Sequence, residues 1–268
     1  MSVAVILPAR LKSTRLPNKL LLEAAGKTIL EHTVGRAREA QAASNGMITR
    51  VLVAADDEKL IAAAKRAGVE AVMTDPNHTS GTDRIAEAAR SVREDIVVNL
   101  QADEPEIDPS CIVCVAALLA GQRAPRASMA TLAVPIHDEQ TWRAPNVVKV
   151  VVTKEGCALY FSRAPIPFVR DERDAAAWTM DGKRVYGLHH LGIYAYRREF
   201  LLAYKSLPES RLEKLERLEQ LRALEAGHTI AVAVVAGNPP GIDTPDDYEA
   251  FCKRLAHRTT HKGQVTNG

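Results

Sequence analysis

Arg10, Lys12, Arg15 and Lys19 share one short segment, Pro8-Ala9-Arg10-Leu11-Lys12-Ser13-Thr14-Arg15-Leu16-Pro17-Asn18-Lys19. Small and hydroxyl residues among four cations suit a loop that wraps phosphates, with backbone N–H groups donating while Arg and Lys neutralise charge. Neither the Walker spacing nor the dinucleotide fingerprint is present, and on charge alone a solvated basic loop is an equal reading. Gln101, Asp103 and Glu104 follow the apolar run 96–100, where a carboxylate can hold a hard divalent cation over a triphosphate. Asp243, in Gly-Ile-Asp-Thr-Pro, reads when taken alone more readily as a helix N-cap or dipole partner than as a ligand. His78-Thr-Ser-Gly-Thr-Asp-Arg84 suits the close approach of a base or ribose, or an ordinary capped helix start. Ser162-Arg163, His189-His190 with Tyr194, and Glu219-Gln220 set polar groups in apolar contexts, which is costly unless they are paired or face a ligand.

The elements that would position these residues alternate in the first half of the chain. Short β-branched runs at 3–8, 50–55, 70–74 and 96–101 are separated by helical periodicity at 28–42, 57–67 and 82–93, the pattern of a parallel sheet covered by helices. Thr28 is placed to cap the first helix and Asp56 the second, which Gly68 stops. The basic loop then lies at the carboxyl end of the first strand, where open α/β sheets bind ligands. After a helix at 109–120 the runs 128–136, 146–153, 156–162 and 187–197 read as antiparallel, an insertion or subdomain. A helix at 198–205, a long helix at 211–226, a strand at 229–235 and a helix begun by Thr244-Pro245 return to the first pattern. The tail from His257 has no periodicity and is expected to be disordered, which leaves 1–256 as one domain with an insertion at about 128–197.

The chain of 268 residues, 46% of them hydrophobic, can bury a full core. Its 35 Lys and Arg nearly cancel 33 Asp and Glu, so no polybasic surface for nucleic acid or anionic lipid follows from the total. Four scattered cysteines make no disulfide framework, and Cys111 and Cys114 read as helix core rather than half of a zinc or redox pair. No apolar stretch approaches a membrane span and no signal peptide is recognisable, so a cytoplasmic address is expected.

Together these segments resemble the 3-deoxy-manno-octulosonate cytidylyltransferases, also called CMP-Kdo synthetases. The resemblance runs through Pro-Ala-Arg and Ser-Thr-Arg-Leu-Pro at 8–17, His-x-Ser-Gly-Thr at 78–82 and Gln-x-Asp-Glu-Pro at 101–105. It continues in Ala-Leu-Tyr-Phe-Ser-Arg-Ala at 158–164, His-Leu-Gly-Ile-Tyr at 190–194, Leu-Glu-Gln-Leu-Arg at 218–222 and Asp-Thr-Pro at 243–245. Each motif is weak alone, but their joint order is specific.

The resemblance implies a Rossmann-like nucleotide-diphospho-sugar transferase fold of the α/β class, with a mixed, mostly parallel sheet flanked by helices and an inserted antiparallel dimerisation segment. It further implies CTP and Kdo as substrates, Mg2+ as cofactor, a homodimer, and a role in lipopolysaccharide synthesis. Carried over by position, Arg10, Arg15 and Lys19 would grip the triphosphate, with Pro8, Ala9, Thr74, Ser80, Gly81 and Gln101 also at the nucleotide. Gln101, Arg163, His190, Tyr194, Glu219 and Gln220 would line the sugar-acid pocket, and Asp103 and Asp243 would ligate the metal. Arg10, Lys19, Asp103 and Asp243 would carry catalysis. Three positions depart from the family: Ala102 and Asn18 stand where Gly is usual, and His189 where a basic residue is usual. Ala102 adds a methyl beside a metal ligand, and Asn18 tolerates a positive φ.

Overall fold

A computed structural model describes residues 1–78, 80–121, 126–171, 178–237 and 241–265. In chain order the strands are β1 Val3–Ala9, β2 Glu23–Ala24, β3 Lys27–Thr28, β4 Ile48–Ala55, β5 Glu70–Met73, β6 Ile96–Asn99, β7 Ala127–Ile136, β8 Lys149–Val152, β9 Ala158–Ser162, β10 Thr179–Met180, β11 Lys183–Arg184, β12 Gly187–Arg197 and β13 Thr229–Val234. The helices are α1 Ile29–Ala43, α2 Glu58–Arg66, α3 Gly81–Ala88, α4 Pro109–Ala120, α5 Glu139–Arg143, α6 Arg198–Ala203, α7 Arg211–Glu216, α8 Gln220–Glu225 and α9 Pro245–Val265. The fold is α/β with a mostly parallel sheet flanked by helices, as expected. Where the sequence reading draws one domain with an insertion, the chain groups into two units.

The first unit comprises Ala4–Val92, Asn99–Pro109 and Pro239–Gly268. Its strands run in the order β1-β4-β5, and β5 pairs parallel to β4, Leu52 opposite Glu70 and Ala55 opposite Met73. Ala4 to Leu7 are wholly buried, which is why this strand reads as a continuous apolar run rather than an alternating one. Thr28 and Glu31 form a reciprocal capping box at the start of α1. The cap of α2 is Asp57, not Asp56 as its position suggests: Asp57 accepts from the Lys59 N–H at 2.8 Å, and Asp56 is used elsewhere. Gly68, at φ +76°, ends this helix as anticipated.

The second unit comprises Met1–Val3, Arg93–Val98 and Ser110–Asn238. Its strands follow the order β13-β7-β12-β6, with β8 hydrogen-bonded to β12 and to β9. β13 runs parallel to β7, whereas the β7–β12, β12–β8 and β8–β9 pairs are antiparallel, so the antiparallel runs of the sequence are real strands. The single long helix expected at 211–226 is instead two short ones. Arg217 at φ +55° ends α7, its N–H returning to the Glu213 carbonyl, and the break turns the Glu216 carboxylate toward β9. The helix α9 continues through residues 257–265, which sequence alone reads as tail; 266–268 lie outside the described residues. Among the described residues, no helix is long and apolar enough to cross a membrane.

Candidate active site

In the first unit, the 3₁₀ turn Lys19–Leu21 is entered through Asn18 at φ +54°, the left-handed conformation that Asn tolerates. The turn delivers the Lys19 ammonium to the carboxylates of Asp103 and Asp243 (2.9 Å to the latter) and to the Ile242 carbonyl at 3.0 Å. Arg15 Nη2 reaches the other oxygen of Asp243 at 3.0 Å. Burial alone would depress the Lys19 pKa, but Asp103 and Asp243 more than offset it and raise it above the ordinary lysine value. The two acidic loops are tied by the Ile242 N–H donating to the Asp103 carbonyl at 2.9 Å. Gly241 passes so near that a Cβ there would stand 3.4 Å from this same oxygen.

The cap reading of Asp243 fails here for a definite reason. Thr244 takes that position, its hydroxyl accepting from the Asp247 N–H at 3.2 Å, while Asp247 accepts from the N–H groups of Asp243 and Thr244. Asp243 is thereby left to face cations. Two carboxylates from loops far apart in sequence thus converge on one positive centre, a donor set that suits a hard divalent ion. Among the described residues no group of three or more His, Cys, Asp or Glu forms a cage. A pair of carboxylates is a donor set that magnesium can use, its other oxygens coming from water and phosphate. Ala102 is buried, its carbonyl accepting from Thr33 Oγ1 at 2.9 Å.

Beside this centre the loop after β1 lines a cleft of about 500 Å³, with Arg10, Lys12, Ser13, Thr14 and Asn18 facing Asp56 and Asp57. Arg10 donates through Nη2 to the His78 carbonyl at 2.5 Å, and His78 in turn pairs with Glu87. Ser80 caps α3, and a Cβ added at Gly81 would stand 3.7 Å from Pro8 Cγ, an ordinary contact. Ala9 is wholly buried. Thr74 is buried with internal partners: its hydroxyl donates to the Ala55 carbonyl at 2.9 Å and accepts from Arg84 Nη1 at 2.6 Å. The backbone of Gln101 accepts from the Glu104 N–H at 3.3 Å.

Sequence reasoning missed the group that holds this loop in place. Asp56 accepts from the Leu11 N–H at 2.9 Å and pairs at 3.1 Å with Arg84, which is 1% exposed. The signal was available, since Arg84 occupies the same helical stripe as Ile85 and Ala88, where a charge must find a partner.

In the second unit, Arg163 is held from several sides. Its N–H donates to Glu216 Oε2 at 2.9 Å, Nε to the Glu216 carbonyl at 2.7 Å and Nη1 to the Pro145 carbonyl at 3.1 Å. Glu216, also missed in the sequence, accepts from Ser162 Oγ at 2.6 Å as well.

His190 is buried against the Phe161 ring edge (centroids 5.0 Å apart) and beside Tyr194 (5.3 Å). Its Nε2 lies 3.0 Å from Thr131 Oγ1, whose hydrogen is engaged by the Leu191 and Ile193 carbonyls. The imidazole must therefore donate from Nε2, leaving Nδ1 as an acceptor. Burial first, then His189, drives its pKa down to about 3, so the ring is neutral at pH 7. Burial also raises the Tyr194 phenol well above its ordinary range. Gln220 is buried and its Nε2 meets no hydrogen-bond partner among the described residues, a donor awaiting an acceptor. Glu219 is exposed at the start of α8, and its carbonyl accepts from the Tyr204 hydroxyl at 2.6 Å.

Known proteins place the chain as a whole. The 3-deoxy-manno-octulosonate cytidylyltransferase of Rhodopirellula baltica is 45% identical over 257 residues, spanning 95% of this chain and 99% of its own. That of Tolumonas auensis is 46% identical over 266 residues, 98% of this chain and all of its own. A solved CMP:2-keto-3-deoxy-manno-octonic acid synthetase complexed with CTP is 39% identical, superposes with a TM-score of 0.86, and covers 96% of this chain and 100% of that one. A 4-diphosphocytidyl-2C-methyl-D-erythritol synthase from Anaerococcus prevotii, 13% identical with a TM-score of 0.61 over 95% of this chain and 98% of its own, shares the fold alone. The family model described as cytidylyltransferase matches residues 4–230. The chain belongs to the cytidylyltransferase family, and within it to the 3-deoxy-manno-octulosonate cytidylyltransferases.

Proposed function

We propose that the protein transfers the cytidylyl group of CTP to 3-deoxy-manno-octulosonate, giving CMP-Kdo and pyrophosphate for lipopolysaccharide synthesis, with Mg2+ as its cofactor. What carries this reading is the convergence of Asp103, Asp243, Lys19 and Arg15 on one charged centre, in a chain similar along nearly its whole length to enzymes of that name. The anomeric hydroxyl of the sugar attacks the α-phosphorus; a new O–P bond forms as the bond to the β-phosphate oxygen breaks, the hydroxyl proton passes to water, and pyrophosphate leaves. Little covalent chemistry is asked of the protein, so its contribution is positioning and charge neutralisation.

Arg10, Arg15 and Lys19 offset the phosphate charge, Lys19 as an ammonium point charge that Asp103 and Asp243 favour. Asp103 and Asp243 would hold magnesium, which would supply a positive centre for phosphate oxygens and make the attacking hydroxyl more acidic. At the acceptor, Arg163 offers Nη2 to the carboxylate, neutral His190 offers Nδ1 to a sugar hydroxyl, and Gln220 offers its spare donor. Tyr194 and Glu219 complete this pocket.

We also take the protein to be a cytoplasmic homodimer associating through the segment around 128–197, where Leu159 and Phe168 (84% exposed) offer apolar surface. Pyrophosphate release with CTP and Kdo tests the reaction, run beside UTP, ATP and sialic acid and repeated with chelator. Chelator-sensitive release with CTP and Kdo alone supports every part. Release with another acid moves the acceptor, and none with any pair overturns the reading. Light scattering at twice the chain mass tests the dimer.

A further inference from the structure

Lys149 opens β8 and is 0% exposed, an unusual setting for an ammonium. Its Nζ donates to the carbonyls of Ala144 at 3.0 Å, Val147 at 2.7 Å and Arg163 at 2.6 Å. Carbonyls only accept, so all three hydrogens are needed and the group is held as the cation. It stays so even though burial, and then Arg163, pull its pKa below the ordinary lysine value against the opposing effect of Glu216.

The turn at 144–147 therefore presents three carbonyls to two cations, Ala144 and Val147 to Lys149 and Pro145 to Arg163 Nη1. Lys149 and Arg163 are balanced by one carboxylate, Glu216, which holds the Arg163 N–H and Ser162 Oγ. His189, opposite Lys149 across the β8–β12 pair, adds no charge at pH 7, because burial and then Lys149 lower its pKa. The cluster is left with one surplus positive charge.

We propose that Lys149 is a positioning residue for anion recognition: by clamping the 144–147 turn to the Arg163 carbonyl it aims the Arg163 guanidinium at the carboxylate of the acceptor and supplies the surplus charge which that carboxylate neutralises. The inference rests on Arg163 being the carboxylate-binding residue of the proposed function. A ligand lacking the carboxylate gains nothing from the cluster, so Lys149 acts on the acceptor and not on the nucleotide.

The test compares Lys149→Met, which has no donors, with Lys149→Gln, which keeps two. KM is measured separately for Kdo and CTP, Kdo binding is followed by calorimetry without CTP, and the Arg163 Nε–H resonance is followed by NMR. Lys149→Met raises the KM for Kdo about tenfold or more, leaves that for CTP within about twofold, and speeds exchange at Arg163 Nε–H; Lys149→Gln recovers part of each loss. Should the Met variant fail to fold, the Gln variant carries the same comparison with a smaller shift. Both KM values rising in parallel, or wild-type Kdo binding matched by the folded variants, overturns the inference and leaves the proposed function standing. Wild-type protein that binds no Kdo overturns the acceptor reading and this inference with it.

Discussion

Acidification should destabilise this protein through His190 in particular, and the size of the effect follows from its burial. The imidazole titrates near the ordinary 6.5 when the chain is unfolded but at about 3 when folded. Its folded pKa is depressed, so on lowering the pH the unfolded state takes up the proton first, and stability present above pH 6.5 is lost as the pH falls toward 3. At about 1.36 kcal/mol per pKa unit the whole shift is worth roughly 5 kcal/mol, of which about 2 kcal/mol is already gone at pH 5 and about 3 kcal/mol at pH 4. Carboxylates titrate over the same range, and a His190→Asn variant removes their contribution from the comparison. Urea unfolding of both proteins at pH 7.5 and pH 5 should show the wild-type advantage shrinking by about 2 kcal/mol. An advantage that stays constant to within about 0.5 kcal/mol, read from the midpoints at a common slope so that extrapolation error largely cancels, would refute the neutral, desolvated imidazole.

Other consequences are equally specific. Asp243→Asn should lower turnover more than about a hundredfold with an unchanged melting temperature, since Thr244 and not Asp243 caps the helix; normal turnover at ordinary magnesium refutes its metal role. Arg163→Lys should raise the Michaelis constant for the acid sugar about tenfold, because Lys lacks the planar fork that holds Pro145 and Glu216 while keeping Nη2 available. An unchanged constant misplaces the acceptor site. Asp56→Ala should cost about 3–5 kcal/mol in denaturant unfolding by leaving Arg84 buried and uncompensated, and Arg84→Met in the same chain should restore much of it. Loss of less than about 1 kcal/mol in the single variant sinks that argument.

Most of the local architecture was legible in the amino-acid order. The β1 run, the Thr28 cap, the Gly68 stop, the helix carrying Cys111 and Cys114, and the antiparallel strands of the second unit are all short-range signals, written in side-chain period and capping chemistry. The misreadings were local competitions that the rest of the fold decided. The cap assigned to Asp56 falls to Asp57 because the Leu11 N–H and Arg84 claim the Asp56 carboxylate. The helical pattern at 211–226 is continuous, and the break at Arg217, where Glu216 meets Ser162 and Arg163, is not written in it.

Family, reaction class and the identity of the charged residues were determined by the sequence alone, because those lie in the order and types of short motifs. How those charges pair was decided only by tertiary structure. Lys19 and Asp243 are 224 positions apart, and no periodicity relates them. The neutrality of His190, the spare donor of Gln220 and the carbonyl cage of Lys149 come from burial and from hydrogen-bond partners supplied by other strands and turns. Desolvation and convergence are properties of the packed chain, and a linear pattern of residue types carries neither.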